Sequence, residues 1–427
     1  MDENTIIVIG AGPAGLMAAG QAAMCGAATM VLEKKSRPGR KLRLSGKGRC
    51  NITNRAPLSQ FIAPFNSGGD FLRQAFARFF APDLISFFHD LHLSTVTEPD
   101  GRVFPADNDA RRVVDTLEGW VARAGARLIT SVRVESLTIE NHRITGVECR
   151  IDSPKNQPGH HRFYPAAAVI IATGGKSYPA TGSTGDGYRL AESAGHTIIP
   201  PTPALVPIIT AGDIPRRLQG LSLNNAGVRL IIDRKKQPAR TGEILFTHYG
   251  LSGPLILSLS RKIVMALRDK QKIELVIDLF PDQDQNKLET SLLDLITRHG
   301  RQKISGLLKT FLPPKIIPLA CEINGLALDK PGHQLTATER RRLVVWLKGI
   351  SLEVVDHRDF NEAIITAGGI DTAQIDPRTM QSRLVSGLYF AGEVMDIDAD
   401  TGGFNLQAAF STGFVAGFSA ARDVLHS

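Results

Sequence analysis

The stretch TIIVIGAGPAGLMAAGQAAMCGAATMVLE, Thr5 to Glu33, decides the fold. Its first five residues are all β-branched and Ile6 to Ile9 is an unbroken apolar run, which suits a central parallel strand buried on both faces. Gly10, Gly12 and Gly15 follow at the spacing GxGxxG. Gly10 permits a tight turn, Gly12 lets the backbone approach a pyrophosphate, and Gly15 lets helix and strand pack closely. Leu16 to Cys25 continues as an Ala-rich helix, Thr29 to Leu32 is a second strand, and Glu33 stands at its tip. Glycine spacing alone recurs by chance. The preceding strand, the following helix and the acid at the next strand end make it a nucleotide-binding βαβ unit. Phosphates belong at the helix N-terminus, where free N–H groups and the dipole favour negative charge. A carboxylate at position 33 accepts hydrogen bonds from ribose hydroxyls and opposes a 2′-phosphate, as FAD or NAD requires.

Working outward, 427 residues exceed one ordinary domain, and 43% apolar content supplies cores for two or three. Residues 71–95 and 109–125 carry helical spacing. Arg127 to Leu137 and Ile144 to Ile151 alternate like antiparallel strands joined at Asn141-His142, and Asp152 to Arg162 reads as a loop. Ala166 to Ala172 is another buried strand, closed by Thr173-Gly174-Gly175. Near Ile199 the texture changes: Pro200, Pro201, Pro203 and Pro207 mark a crossing, and Val228–Asp233 with Lys272–Leu279 look like strands of a separate sheet. Residues 286–349 are mostly helical, broken at Pro313-Pro314. From Glu362 the buried-strand texture returns, at Ala363–Thr366 and Leu388–Ala391, followed by a Gly-punctuated helix. The expectation is an α/β nucleotide-binding domain built from both chain ends, residues 1–199 and 361–427, with an insert at 200–360.

Charge and cysteine content narrow the function classes. Lys+Arg number 50 against 42 Asp+Glu, a net charge of +8, which favours polyanions as ligands or partners. Cys25, Cys50, Cys149 and Cys321 lie far apart, with no CxxC and no His-Cys cluster, so neither a disulfide framework nor a metal site is expected. Thr5 to Leu32 is apolar enough to imitate a membrane span. However, acids precede it, no basic segment does, and glycine or proline interrupts it repeatedly. No membrane association is expected, and the location is expected to be cytoplasmic.

The glycine turn alone does not separate FAD from NAD, and the segment GRKLRLSGKGRCNITN, Gly39 to Asn54, says more. Eight basic residues and no acid stand between Lys34 and Arg49, a phosphate clamp beside a dinucleotide site, and its glycines let main chain run against a flat ring. With Gly10–Gly15, Ala172–Gly187, Gly242–Pro254, Thr366–Ile370 and Leu388–Gly417, it makes the chain resemble the bacterial BaiN-type NAD(P)/FAD-dependent oxidoreductases. That group includes aminoacetone-oxidase-like flavoproteins and a ribosomal-RNA dihydrouridine synthase.

The resemblance implies a Rossmann-like FAD-binding domain formed by both chain ends, with an inserted β-barrel plus helical domain. It implies that Ala11, Glu33, Lys34, Arg40, Lys41, Ser45, Gly46, Gly48 and Asn51 line the FAD, and that Val134 meets the adenine through its backbone. Ala172, Thr173 and Gly174 would back the adenosine half, while Gly392, Glu393 and Asp396 would hold the ribityl-pyrophosphate. Many flavoproteins have Gly-Asp where this chain has Gly392-Glu393. The segment around Gly403, Asn405 and Leu406 would begin a helix whose N-terminal amides face the flavin N1/O2 edge and stabilise the reduced anion.

No Ser-His-Asp order and no metal cluster presents itself, so the flavin carries the chemistry and the protein orients it. A second GxGxxG unit is absent, so NAD(P)H would dock transiently as reductant. Three substrates fall under the resemblance: uridine in ribosomal RNA, a steroid-like enone, and aminoacetone. The cation runs Arg111-Arg112, Arg216-Arg217 and Arg340-Arg341-Arg342 favour RNA, while an aromatic content of 6% argues against extensive base stacking. Reduction of a conjugated C=C bond needs a proton donor. Cys50, with a thiol lowered by Lys47 and Arg49, and His248 are the candidates. A small-molecule flavoenzyme and a flavin-holding RNA-binding factor remain as other readings. The oligomeric state is not legible.

Overall fold

The computed structural model describes residues 4–66, 68–151 and 159–426. They form two compact units, residues 1–203 with 360–427 and residues 204–359.

The first unit is built on a five-stranded parallel sheet. In spatial order its strands are Leu388–Phe390, Ala168–Ile171, Ile6–Ile9, Thr29–Glu33 and Arg127–Thr130. Ile6 pairs with Ala168 on one side and Thr29 on the other, and Ile6, Ile7 and Val8 are wholly buried. Strands covered on both faces need apolar residues at every position, which is why this one reads as a continuous β-branched run. The helices Pro13–Met24 and Phe404–Leu425 pack backbone to backbone. A Cβ on Gly413 would lie 2.4 Å from the Ala14 carbonyl oxygen, and one on Gly417 would lie 2.2 Å from that of Ala18. Both contacts step by four residues in the same sense, so the helices run parallel.

Several expectations change here. Residues 127–137 are not one strand: Ser131, at φ 60°, turns the chain between Arg127–Thr130 in the parallel sheet and Val132–Glu140 in an antiparallel sheet. Asn141 and His142 do form the tight turn, both with positive φ. Of the loop read at 152–162, residues 152–158 lie outside the described residues. His160–Pro165 is a strand instead, because Ile151 pairs with His160 and the ladder continues from there. The helical stretch 71–95 is two helices, Gly69–Arg78 and Ala81–Asp90; the second starts afresh at Phe80, whose amide bonds the Asp83 carboxylate.

The second unit is a closed antiparallel barrel of six strands: Ile208–Thr210, Ser222–Ile232, Arg240–Phe246, Gly250–Ser252, Ile273–Asp278 and Ile350–His357. Closure comes from Ser222–Ile232, which pairs with both Arg240–Phe246 and Ile273–Asp278. Helices Pro254–Arg268, Gln285–His299, Ile304–Leu308, Ile316–Ile323 and Ala337–Leu347 accompany it, around a separate apolar core. The fold class is therefore the expected α/β, with a Rossmann-like parallel sheet and a barrel. No helix among the described residues is long and apolar enough to cross a membrane.

Candidate functional site

The glycine turn is fixed by main chain. Gly10, at φ 100°, donates to the Leu32 oxygen at 2.9 Å, and a Cβ there would lie 2.8 Å from the Ala172 oxygen. A Cβ on Gly15 would lie 1.9 Å from the Gly10 oxygen. Gly12 differs: a Cβ there would meet nothing within 4 Å, and it starts the first helix without any side-chain cap. The helix N-terminus thus starts beside open space, with no side-chain cap among the described residues.

Glu33 closes the turn. Its Oε2 accepts from the Ala11 amide at 2.8 Å and its Oε1 from the Lys35 amide at 2.8 Å. Each carboxylate oxygen keeps a lone pair for a ribose hydroxyl. Ala172 and its neighbours lie across the turn, with the Ala172 amide on the Ile9 oxygen at 2.9 Å and Gly174 at φ 71°. Val134 is buried in the strand Val132–Glu140.

The basic segment is more self-neutralised than its sequence implies. Lys34 pairs with Asp186 at 2.7 Å, Lys41 with Glu393 at 2.7 Å, Arg43 with Asp115 at 2.9 Å, and Arg49 with Glu98 at 2.7 Å. Burial pushes the Asp186 carboxyl up, but its bonds to Lys34 and Thr184 outweigh that and hold it below the usual range. Arg37 and Arg40 stay exposed and, with Arg43, line a cavity of about 380 Å³ that has no carboxylate in its wall. Ser45 donates to the Leu42 oxygen, and Gly46, Lys47 and Gly48 run left-handed in succession.

The C-terminal half meets the same place. Gly392, at φ 77°, donates to Thr412 Oγ1, and a Cβ on it would press on Ala14 at 2.8 Å. Glu393 Oε1 also accepts from the Thr366 amide at 2.8 Å, and Asp396 Oδ1 accepts from the Gly368 amide at 3.1 Å. Gly403, at φ 94°, starts the last helix without a side-chain cap, where a Cβ would lie 2.4 Å from the Thr53 oxygen. With its amide oriented to satisfy both partners, Asn51 accepts from the Gly403 amide at 2.9 Å and donates to the Thr53 and Val103 oxygens. Asn405 binds the Ala399 amide and oxygen, holding the approach to that helix, and Leu406 packs on the core.

The two uncapped helix starts are linked by packing. Gly413 lies level with Ala14, so Gly403 stands eight residues further out along the shared direction than Gly12, about 12 Å at 1.5 Å per residue. Two positive helix ends offset by that distance suit a dinucleotide, with pyrophosphate at one and the flavin pyrimidine edge at the other. The residues present therefore fit FAD. Tyr188 adds an orphan group: its hydroxyl is buried without a hydrogen-bond partner among the described residues, and burial, with the charges of Glu393 and Asp396, keeps the phenol protonated.

The two catalytic candidates fare differently. Cys50 is fully buried, and burial drives its thiol up to about 12 despite a hydrogen bond with Ser45. The expected lowering by Lys47 and Arg49 does not occur: Lys47 is exposed, while Arg49 is held by Glu98 and lies 3.9 Å over the Phe104 ring. His248 lies in the second unit, exposed, with its ring edge-on to Tyr249 at 4.7 Å. Sequence reasoning missed Thr366 and Tyr188, and also Ser177, whose hydroxyl bonds Thr366 Oγ1 at 2.9 Å. Thr366 and Ser177 lie inside the blocks Thr366–Ile370 and Ala172–Gly187, but their contacts span long sequence separations and no local pattern singles them out.

Residues 4–419 match the family described as HI0933-like protein Rossmann domain. The 3-dehydro-bile acid delta(4,6)-reductase of Clostridium scindens is 32% identical, over 98% of this chain and 99% of that protein. The ribosomal RNA dihydrouridine synthases of Haemophilus influenzae and Escherichia coli are each 30% identical. The matches cover 97% of this chain and 98% of the first protein, and 96% of both chains for the second. Among solved structures, the 3-ketosteroid delta1-dehydrogenase of Sterolibacterium denitrificans aligns with a TM-score of 0.54 at 14% identity, over 98% of this chain and 100% of that one. That likeness shows a shared fold. The match along nearly the whole chain goes further: this protein belongs to the HI0933-like family of FAD-dependent oxidoreductases.

Proposed function

We propose that this protein reduces a carbon–carbon double bond conjugated with a carbonyl, using FAD and NAD(P)H, and that its substrate is uridine in large-subunit ribosomal RNA. The observation that carries the flavin reading is the pair of glycine-started helix ends offset along one axis, and the reaction class is taken from the relatives. They are named for saturating such bonds, a dihydrouridine synthase and a delta(4,6)-reductase. Bound FAD supplies the hydride carrier. The first helix start and Glu33 seat its phosphates and ribose, while Asn51 fixes the Gly403 amide and with it the start of the last helix. Those amides favour negative charge at the flavin edge. Hydride goes to the carbon β to the carbonyl and a proton to the α carbon. That proton needs a donor at the reacting face. Cys50 is sealed in the core and is dropped from that role.

RNA is preferred because the protein carries an excess of cations, +8 overall. The arginine runs that first pointed to RNA contribute less than expected: Arg111 and Arg112 pair with Asp109 and Asp107, Arg217 with Glu322, and Arg340 and Arg341 with Glu289. A second reading, a small cyclic enone, is favoured by the 32% identity to the bile-acid reductase.

The test is anaerobic incubation of the FAD-loaded protein and NADPH with transcribed large-subunit ribosomal RNA, followed by nucleoside mass analysis. Gain of two hydrogens on one uridine supports the first reading. Reduction of a steroid 4,6-dienone with no change in the RNA supports the second.

A further inference from the structure

The barrel hairpin that joins Ser222–Ile232 to Lys235–Lys236 turns at Asp233 and Arg234, both left-handed at φ 45° and 66°. The second central position of such a turn favours glycine, and any residue with a Cβ is disfavoured there. Asp233 has a local reason for its place: its carboxylate accepts from the Lys272 amide at 3.0 Å and from Gln271 Nε2 at 2.9 Å. Arg234 has none. It is exposed and makes no hydrogen bond or ion pair among the described residues. Lys270 repeats the feature at φ 60°, just past the helix Pro254–Arg268, although there the helix dipole also favours a cation.

Strand pairing gathers these cations. Lys235 and Lys236 pair with Ile232 and Ile231, and Ile232 pairs on its other side with Ile273, next to Lys272. The two basic strand ends therefore flank one strand, about 10 Å apart at the usual spacing. The Asp233 amide donates to the Lys272 oxygen, which sets the turn against Lys270–Lys272, and Lys262 reaches the hairpin through Gln237 at 2.6 Å. Arg234, Lys235, Lys236, Lys262, Lys270 and Lys272 are all exposed, and none is in an ion pair among the described residues. Of the nearby carboxylates, Asp233 is occupied by neutral donors, Asp269 faces Arg268 at 3.6 Å, and Glu274, in the row of Lys236 across Ile231 and next to Glu353, accepts from Ser351 Oγ.

We infer that this end of the barrel holds the phosphate backbone of the RNA that carries the substrate base. The inference rests on the RNA reading above and gives it a second binding surface, remote in sequence from every residue assigned to FAD. Exposed, unpaired lysines and arginine suit sequence-independent contact with phosphates, which positions a strand without reading it. A membrane surface would call for apolar side chains entering beside the cations, and the turn 233–237 carries none.

The test compares wild type, the triple variant R234E/K235E/K236E and R234G for binding of a transcribed ribosomal RNA domain across a salt series. The triple variant is expected to bind at least ~30-fold more weakly, with a log–log salt slope shallower by about 2, at ~0.7–0.9 for each phosphate no longer neutralised. R234G relieves the turn, so its melting temperature should hold or rise while RNA binding weakens a few-fold. Bound-flavin absorbance and bleaching by NADPH should be unchanged in both. Wild-type affinity and slope in the triple variant, alongside uridine reduction in RNA, would overturn this surface and leave the function standing. Absence of salt-sensitive RNA binding by wild type, with reduction of a steroid dienone intact, would remove both. Binding of phosphatidylglycerol vesicles through these residues, without RNA binding, would also overturn the inference.

Discussion

Helices of the two units begin in opposite ways. In the barrel unit, Gln285–His299 is capped by Asp284, which accepts from the Lys287 amide, and Ala337–Leu347 starts with a reciprocal capping box between Thr336 and Glu339. In the nucleotide unit, Pro13–Met24 and Phe404–Leu425 start at glycines and have no side-chain cap. The contrast belongs to these helices and not to their units as wholes, since Asp109 caps Ala110–Arg123 in the first unit. Nor is an uncapped glycine sufficient. Pro254–Arg268 also starts at one, Gly253, but a Cβ there would meet Ile244 and Leu245 main chain at 2.9 Å, whereas the space over Gly12 is open. An open end such as that over Gly12 suits a ligand, whereas Gly403 is closed against Thr53 main chain with its own amide held by Asn51, and what that helix offers a ligand is the amides beyond it. A helix end satisfied from within its own chain contributes stability instead.

The largest effect should come from the contact that makes the two glycine-started helices one structure. Gly417→Val puts a branched side chain where even a Cβ would lie 2.2 Å from the Ala18 oxygen. We expect a loss of about 3 kcal/mol or more from the nucleotide unit, with FAD binding abolished. The two tryptophans separate the units, Trp120 in the first and Trp346 in the second. Urea unfolding followed in W346F and in W120F backgrounds should show the loss in the Trp120 signal only. Equal losses in both signals would break the comparison.

Gly12→Ser comes next and tests the open end directly. Gly12 sits at φ −83° and ψ −175°, backbone that serine adopts freely at an N-cap. Serine should stabilise the FAD-free protein by a few tenths of a kcal/mol and weaken FAD binding on the order of tenfold or more, about 1.4 kcal/mol. Flavin fluorescence titration and melting of the FAD-free protein check both signs. Unimpaired FAD binding would refute the assignment of this helix end to the cofactor.

Thr336→Ala is the mirror experiment. It removes a cap in the barrel unit and should lower that unit's stability by about 1 kcal/mol while leaving FAD affinity unchanged. Urea unfolding read through Trp346, with a parallel flavin titration, measures both.

The smallest effect is a pH dependence. Bonds from Lys330, and then from the Thr336 amide, hold the Glu339 carboxyl down from an ordinary 4.5 to about 2. A depressed folded-state value contributes stability in full above pH 4.5 and loses it as the pH falls towards 2. Glu339→Gln should therefore flatten acid unfolding of the barrel unit across that window, without moving the Trp120 transition. An unchanged acid transition in the barrel unit would remove the ion pair from the account.

Much of this is legible in the sequence, because it depends on neighbours along the chain. The βαβ unit follows from a β-branched run, three glycines and an acid within thirty residues. Each glycine answers to a local demand: a positive φ at Gly10, a close approach at Gly15 and open space over Gly12. The return of a buried strand at Leu388–Phe390 and the final helix were readable for the same reason. The split at Ser131 was not, since alternation continues across it and only a left-handed residue redirects the strand.

What tertiary structure alone decided was who partners whom. Eight basic residues in one segment read as a phosphate clamp, yet four of them meet carboxylates from elsewhere in the chain. Cys50 stands between cations in sequence and is sealed from them in the fold. Most arginines of the runs that read as an RNA surface are paired with carboxylates, whereas Arg234-Lys235-Lys236, an equally plain run, is exposed and unpaired among the described residues. The physical reason is range. Backbone geometry and hydrophobic period are set within a few residues, whereas electrostatic pairing and desolvation depend on whatever the folded chain brings within a few ångströms.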